Sequence, residues 1–199
     1  MISAFLVSMV LLLHLWKGIP IGQLTRDPTA IVGVPFYIGF LSQIGIFFWS
    51  ASAAVCMFSA MVISKRPDSL KIKGFFFASG LLTLVLVLDD AFLLHESVFP
   101  YHLGIAEKAV FVTYAGFVLL YLLRFYSVIL NTEYILLVAA LIFFGVSIAL
   151  DIFNPPGLNP YLFEDAAKIA GIVSWLVYFF RVGIVAISCH DTQQKAAPD

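Results

Sequence analysis

Apolar runs of membrane-crossing length follow one another along this chain with little between them, which leaves few folds open. A spanning helix takes roughly 20 predominantly apolar residues, and in hydrocarbon only helices and closed barrels satisfy their own backbone. Runs of this kind occur at about 2–16, 35–63, 74–95, 108–126, 134–151 and 165–188. The first is short; the second is long enough to tilt strongly. Of 199 residues, 62% are hydrophobic and 12% charged, about half the charged share of a soluble domain. The expected architecture is therefore all-α: a polytopic integral membrane bundle of about six transmembrane helices. It forms a single transmembrane domain over 1–199, with a short polar tail at 189–199. No basic segment precedes the first run and no small-x-small site follows Trp16, so that run is read as a retained helix and not as a secretion signal.

The loop SKRPDSLKIKG carries Lys65, Arg66, Lys71 and Lys73, and short Lys/Arg-rich loops stay cytoplasmic. Six alternating spans then put both termini in the cytoplasm. Most acids, together with His14, His95 and His102, fall on the other side. Short loops and compact size favour a prokaryotic inner membrane, with the acids on its outer, periplasmic face. Cys56 and Cys189 make neither a zinc motif nor an extracellular disulfide. No phosphate loop, nucleophile elbow or nucleic-acid footprint is present, so the partners expected are the lipid bilayer and no nucleic acid.

Chemistry is suggested at one place. Asp89 and Asp90 lie side by side near the end of the apolar stretch GFFFASGLLTLVLVLDDAFLL, and acids in a spanning helix need a cation, a proton or a counter-charge. Asp89 and Glu96 are seven apart and share a helical face; His95 points elsewhere unless the helix unwinds before Pro100. Ser147, Asp151 and Asn154 form a polar edge on the fifth run. Glu164 and Asp165 open the sixth, with Lys168 one turn deeper on a face that continues through Gly171, Trp175 and Tyr178. Lys168 is expected to bridge to Asp89 or Asp151. Asp89, Asp90, Glu96 and Asp151 stand near helix C-termini, where the macrodipole disfavours negative charge.

Oxygen ligands gathered from several helices suit hard divalent ions such as Mg, Mn or Ca, and a histidine shifts the preference to Zn or Fe. The candidate metal ligands are Asp89, Asp90, His95, Glu96, Asp151 and Asp165. In the leading reading the cluster supports metal-assisted chemistry on a lipid or another apolar substrate, with Asp89 and Asp90 as ligands or general base. Lys168 then stabilises developing negative charge. A second reading has the same acids pass protons or cations. Against it, the inner half of helix four offers mainly Tyr114, Tyr121 and Arg124. A third is a non-catalytic structural or assembly subunit with a salt-bridged polar core.

Ser42, Gly45, Trp49, Ser52, Cys56 and Ser59 recur at three- and four-residue spacings, as close helix packing in lipid requires. Trp49 and Trp175 fall away from the interfacial belt; plain core packing is the favoured reading, and an apolar small molecule or lipid held near them is the alternative. Asp27, just ahead of Pro28, is expected to cap a short helix. Ser42 or Ser52, Asp89 or Asp90, and His95 resemble part of the Ser, Asp and triple-His zinc set of membrane hydrolases of the alkaline ceramidase and adiponectin-receptor type. The paired histidines which that family carries on its last helix have no counterpart in EDAAKIAGIVSWLVYFFR.

Overall fold

A computed structural model describes residues 2–63, 70–153 and 159–195, with the backbone alone at 160 and 189–195. Lys65, Arg66 and Asn154, and the side chains of the tail 189–199, lie outside the described residues. All the regular structure described is helical: α1 (Ile2–Lys17), α2 (Ile21–Thr25), α3 (Pro28–Val32), α4 (Phe40–Val62), α5 (Leu70–Phe92), a π-helix (Leu94–His102), α6 (Glu107–Ile129), α7 (Tyr134–Phe153) and α8 (Pro160–Lys195). The chain divides into two compact units, Met1–Phe40 and Leu41–Asp199.

The first unit holds α1 to α3. α1 has 16 residues, or about 24 Å at 1.5 Å per residue, short of a roughly 30 Å hydrocarbon core. Asp27 caps α3 as its sequence predicts: its carboxylate accepts from the N–H groups of Thr29 and Ala30, Pro28 occupies the first turn, and Gly33 closes the helix at φ 73°. The second apolar run does not start as a helix. Residues 36–39 are turns, tied by Ile38 N–H to the Pro35 carbonyl, and Gly39 at φ 69° takes a left-handed conformation that glycine adopts freely. α4 therefore starts at Phe40.

The second unit contains five helices long and apolar enough to cross a membrane: α4, α5, α6, α7 and residues 161–188 of α8. Burial is uneven among them. In the most apolar windows of α4, α5 and α8 it reaches 39%, 44% and 39%, against 17% in both α6 and α7. The first three make the centre and the other two flank it. Phe47, Phe58, Phe117 and Phe180 are exposed, as expected of side chains that face acyl chains and not water.

With lipid as solvent, burial of apolar surface does little to drive helices together, so close packing must hold them. The stripe on α4 does this, with Gly45, Trp49, Ser52, Cys56 and Ser59 all buried. A Cβ added at Gly183 would come 2.8 Å from the Ser59 hydroxyl, and one at Gly80 would come 3.0 Å from Met57. The tightest approach joins α7 to α8, where a Cβ on Gly171 would stand 2.6 Å from Phe144 Cδ1 and 3.2 Å from the Ala140 carbonyl. Trp49 and Trp175 are buried edge to face, 5.9 Å apart, with Phe144 stacked on Trp49 at 5.3 Å. Phe75 gathers Phe76, Tyr121, Phe125 and Phe179 around it.

Buried hydroxyls are satisfied across helices. Trp175 Nε1 donates to Thr83 at 3.0 Å, and Ser79 and Tyr121 share a bond of 2.7 Å. Away from the aspartates, Tyr178 meets Thr132, and Arg181 grips Glu133 through Nε and a terminal nitrogen. Gly171→Ala is expected to lower stability by about 1–3 kcal/mol through overpacking. Gly145→Ala, where nothing stands within 4 Å, should leave it unchanged. Thermal unfolding of both variants in mild detergent checks this.

Candidate functional site

Asp89 and Asp90 are consecutive in α5, so their side chains leave the helix about 100° apart and meet different neighbours. Both are buried, at 6% and 8% relative exposure. Asp89 faces the π-helix and the start of α6. Its Oδ1 accepts from the His95 main-chain N–H at 3.0 Å and from the Tyr114 hydroxyl at 2.8 Å; its Oδ2 accepts from His95 Nδ1 at 2.5 Å. Asp90 faces α8, where the Lys168 ammonium donates to its Oδ1.

His95 can turn back on Asp89 because the helix breaks between them. α5 ends at Phe92, and Leu93 sits at φ 51°, ψ 44°, a left-handed conformation costing a non-glycine residue about 1–2 kcal/mol. The chain then rewinds as the π-helix, with Val98 N–H bonded to the Leu93 carbonyl at 3.2 Å and Pro100 inside the segment. Such windings are rare and concentrate at functional sites. The two bonds from His95 to Asp89 offset the strain at Leu93.

This break corrects the arrangement expected from spacing. The helix does unwind before Pro100, so the seven-residue step from Asp89 to Glu96 no longer keeps one face, and His95 meets Asp89. Glu96 stays 54% exposed in its side chain, with Oε1 3.5 Å from His95 Nε2. Lys168 pairs with Asp90 and not with Asp89 or Asp151. Asp151 lies exposed in the last turn of α7 and interacts with Glu164, whereas Asp165 is half-buried near the start of α8 and interacts with Lys168. Among the described residues no three His, Cys, Asp or Glu side chains form a group able to hold a metal ion. Of the six ligand candidates, His95 pairs with Asp89, Asp90 is taken by Lys168, and Glu96, Asp151 and Asp165 lie outside both pairs.

Tyr114 is the participant that sequence reasoning misplaced. Counted from the start of the fourth run it lies only two turns in, on the same side as the end of α5, and it belongs to the aspartate end. Phe111, one turn before it, packs against His95 with ring centroids 5.1 Å apart and the planes tilted by 45°.

Burial alone would lower the His95 pKa; the hydrogen bond to Asp89, then Glu96, outweighs it and pushes the imidazole up to about 9. The hydrogen bond from His95 in turn holds Glu96 below the usual carboxylate range, against its partial burial. The upward shift favours the imidazolium, which donates from both nitrogens and so suits the carboxylates on either side of it. Because the folded pKa lies above the unfolded value near 6.5, the stabilisation is fully present below about 6.5 and is lost as pH rises through about 9. The unfolding midpoint is expected to fall across that window in the wild type and to be flatter in His95→Phe, as thermal scans from pH 6 to 10 would check.

Neither a curated protein nor a solved structure matches the chain significantly. A family model does match, over residues 1–182, and by it the chain belongs to the family described as Domain of unknown function (DUF8692).

Proposed function

We propose that the paired aspartates form an ion-paired lock that fastens the helices of an integral membrane protein, serving a structural or assembly role and not catalysis. One observation carries the reading: each buried aspartate has its own counter-group from another segment. His95 and Tyr114 serve Asp89, and Lys168 serves Asp90. A buried ion pair adds little net stability relative to a well-packed apolar contact, yet breaking it by removing one partner costs about 3–5 kcal/mol. Such a pair selects one register of α5 against α6 and α8. In this reading the lock lies on the outer, periplasmic side of a prokaryotic inner membrane and α8 ends on the cytoplasmic side. The support is Lys71 and Lys73 in the first turn of α5, at the opposite end of that helix from the aspartates, with Lys65 and Arg66 just before them in the sequence.

Metal-assisted chemistry on a lipid draws less support, because Asp89 and Asp90 diverge and Lys168 is already engaged. Passage of protons draws little more. The Thr83 and Ser52 hydroxyls donate to main-chain carbonyls, and the indole N–H of Trp175 can only donate. A proton leaving Asp90 along these groups has no continuing acceptor.

Lys168→Met is expected to destabilise the protein by about 3–5 kcal/mol, and Asp90→Leu with Lys168→Met to recover most of that loss. Chemical unfolding in detergent measures both. Elemental mass spectrometry of the same preparations provides the contrary outcome. Stoichiometric Zn, Mn or Fe in the wild type, lost in a still-folded Asp89→Asn/Asp90→Asn variant, would replace the lock with a metal site.

A further inference from the structure

The Asp90–Lys168 pair leaves one oxygen over. Asp90 Oδ2 is buried and, among the described residues, meets no hydrogen-bond donor, in a side chain only 8% exposed. Asp90 borders a cavity of about 10 Å³ whose walls also include Ser42 and Gly45 of α4 and Asp165, Lys168 and Ile172 of α8. A space of that size admits one water-sized body.

Two properties of the wall bear on what that body is. Its polar atoms apart from the lysine are oxygens, two carboxylates and a hydroxyl, a set that suits hard cations. Its formal charge is negative, since Asp90 and Asp165 face a single Lys168, and Glu96 adds to the negative field on that lysine. A water would satisfy Oδ2 and leave the charge unbalanced. A divalent ion would overcompensate it beside an ammonium group, whereas a singly charged cation brings the wall to neutrality.

We propose that this cavity binds one sodium-sized monovalent cation, held by Asp90 Oδ2, the Asp165 carboxylate and the Ser42 hydroxyl, while Lys168 stays on Asp90 Oδ1. The inference goes beyond the locking role, because it makes the α4–α5–α8 junction responsive to the ion composition of its surroundings. Gly45 keeps the site roomy: a Cβ there would approach Ile172 to 3.3 Å.

The test is thermal unfolding of the full chain in detergent, at fixed pH and ionic strength, as sodium replaces choline. The unfolding temperature is expected to rise by several degrees and to follow the logarithmic dependence of a saturable ligand. Ser42→Ala leaves the Asp90–Lys168 pair intact and should raise the sodium concentration needed about tenfold; Asp165→Asn should abolish the response. Equal stability in sodium and choline would mean that the cavity holds water only, and would overturn the proposal. A response to pH and not to sodium would assign a proton instead and also overturn it. So would a sodium response untouched by Ser42→Ala, which would put the ion elsewhere. Failure of the lock reads out separately, as an unchanged stability in Lys168→Met at any sodium concentration.

Discussion

Two carboxylates on adjacent residues of one helix cannot look the same way, and the second unit is arranged around that fact. The rotation between Asp89 and Asp90 sends one towards α6 and the other towards α8. Each direction then has to supply a donor at the depth where α5 leaves the apolar core. α6 supplies a phenol two turns from its start, and α8 supplies an ammonium two turns from its own. The chain beyond α5 bends back to supply the third donor. Three segments thereby have their positions along α5 fixed by two side chains, in a medium where apolar contacts alone are weak discriminators of register.

The packing below this end follows another logic. Glycines at 171 and 183 and the small residues of α4 set how closely the helices approach, and rings from Trp49, Phe75, Phe144 and Trp175 fill the space between them. The Ser52, Ser79 and Thr83 hydroxyls donate to main-chain carbonyls of their own helices, while the Tyr121 and Tyr178 hydroxyls tie neighbouring helices together. The distal pair Arg181–Glu133 is exposed on both sides, and an exposed pair of this kind contributes about 1 kcal/mol or less. The electrostatic weight of the bundle therefore sits at one end.

Much of the fold was legible, because run length and hydropathy report directly on spanning helices. The small-residue stripe on α4, the Asp27 cap and the internal role of Lys168 were legible for the same reason, each resting on a local rule. What could not be read was the winding between Phe92 and His102. DDAFLLHESVFP contains no glycine to announce a left-handed residue, so the shared face of Asp89 and Glu96 rested on an unbroken 3.6-residue period, and His95 could come round only through an unwinding that nothing but Pro100 hints at. That period fails at Leu93, which parts Glu96 from Asp89 and turns His95 onto it. Tyr114 escaped because it was assigned to the inner half of helix four, away from the aspartates, and nothing local marks it as the partner of a carboxylate in the preceding helix. The shortness of the first run was legible, and α1 ends at Lys17 as that run implies; the late start of α4 at Phe40 follows from a turn residue, Gly39, that a hydropathy window averages away.

Leu93 carries a further consequence. Its backbone conformation is disfavoured by its own side chain and is held by a carboxylate four positions earlier, itself anchored by a tyrosine on the next helix. The shape of this corner is thus conferred by its surroundings and is not encoded in the corner. Transplanted alone into another protein, LLHESVFP would be expected to lose that shape. Within this family, the feature that identifies the same corner in a diverged sequence would be the joint presence of the acid, the histidine and the phenol, with the intervening residues free to vary.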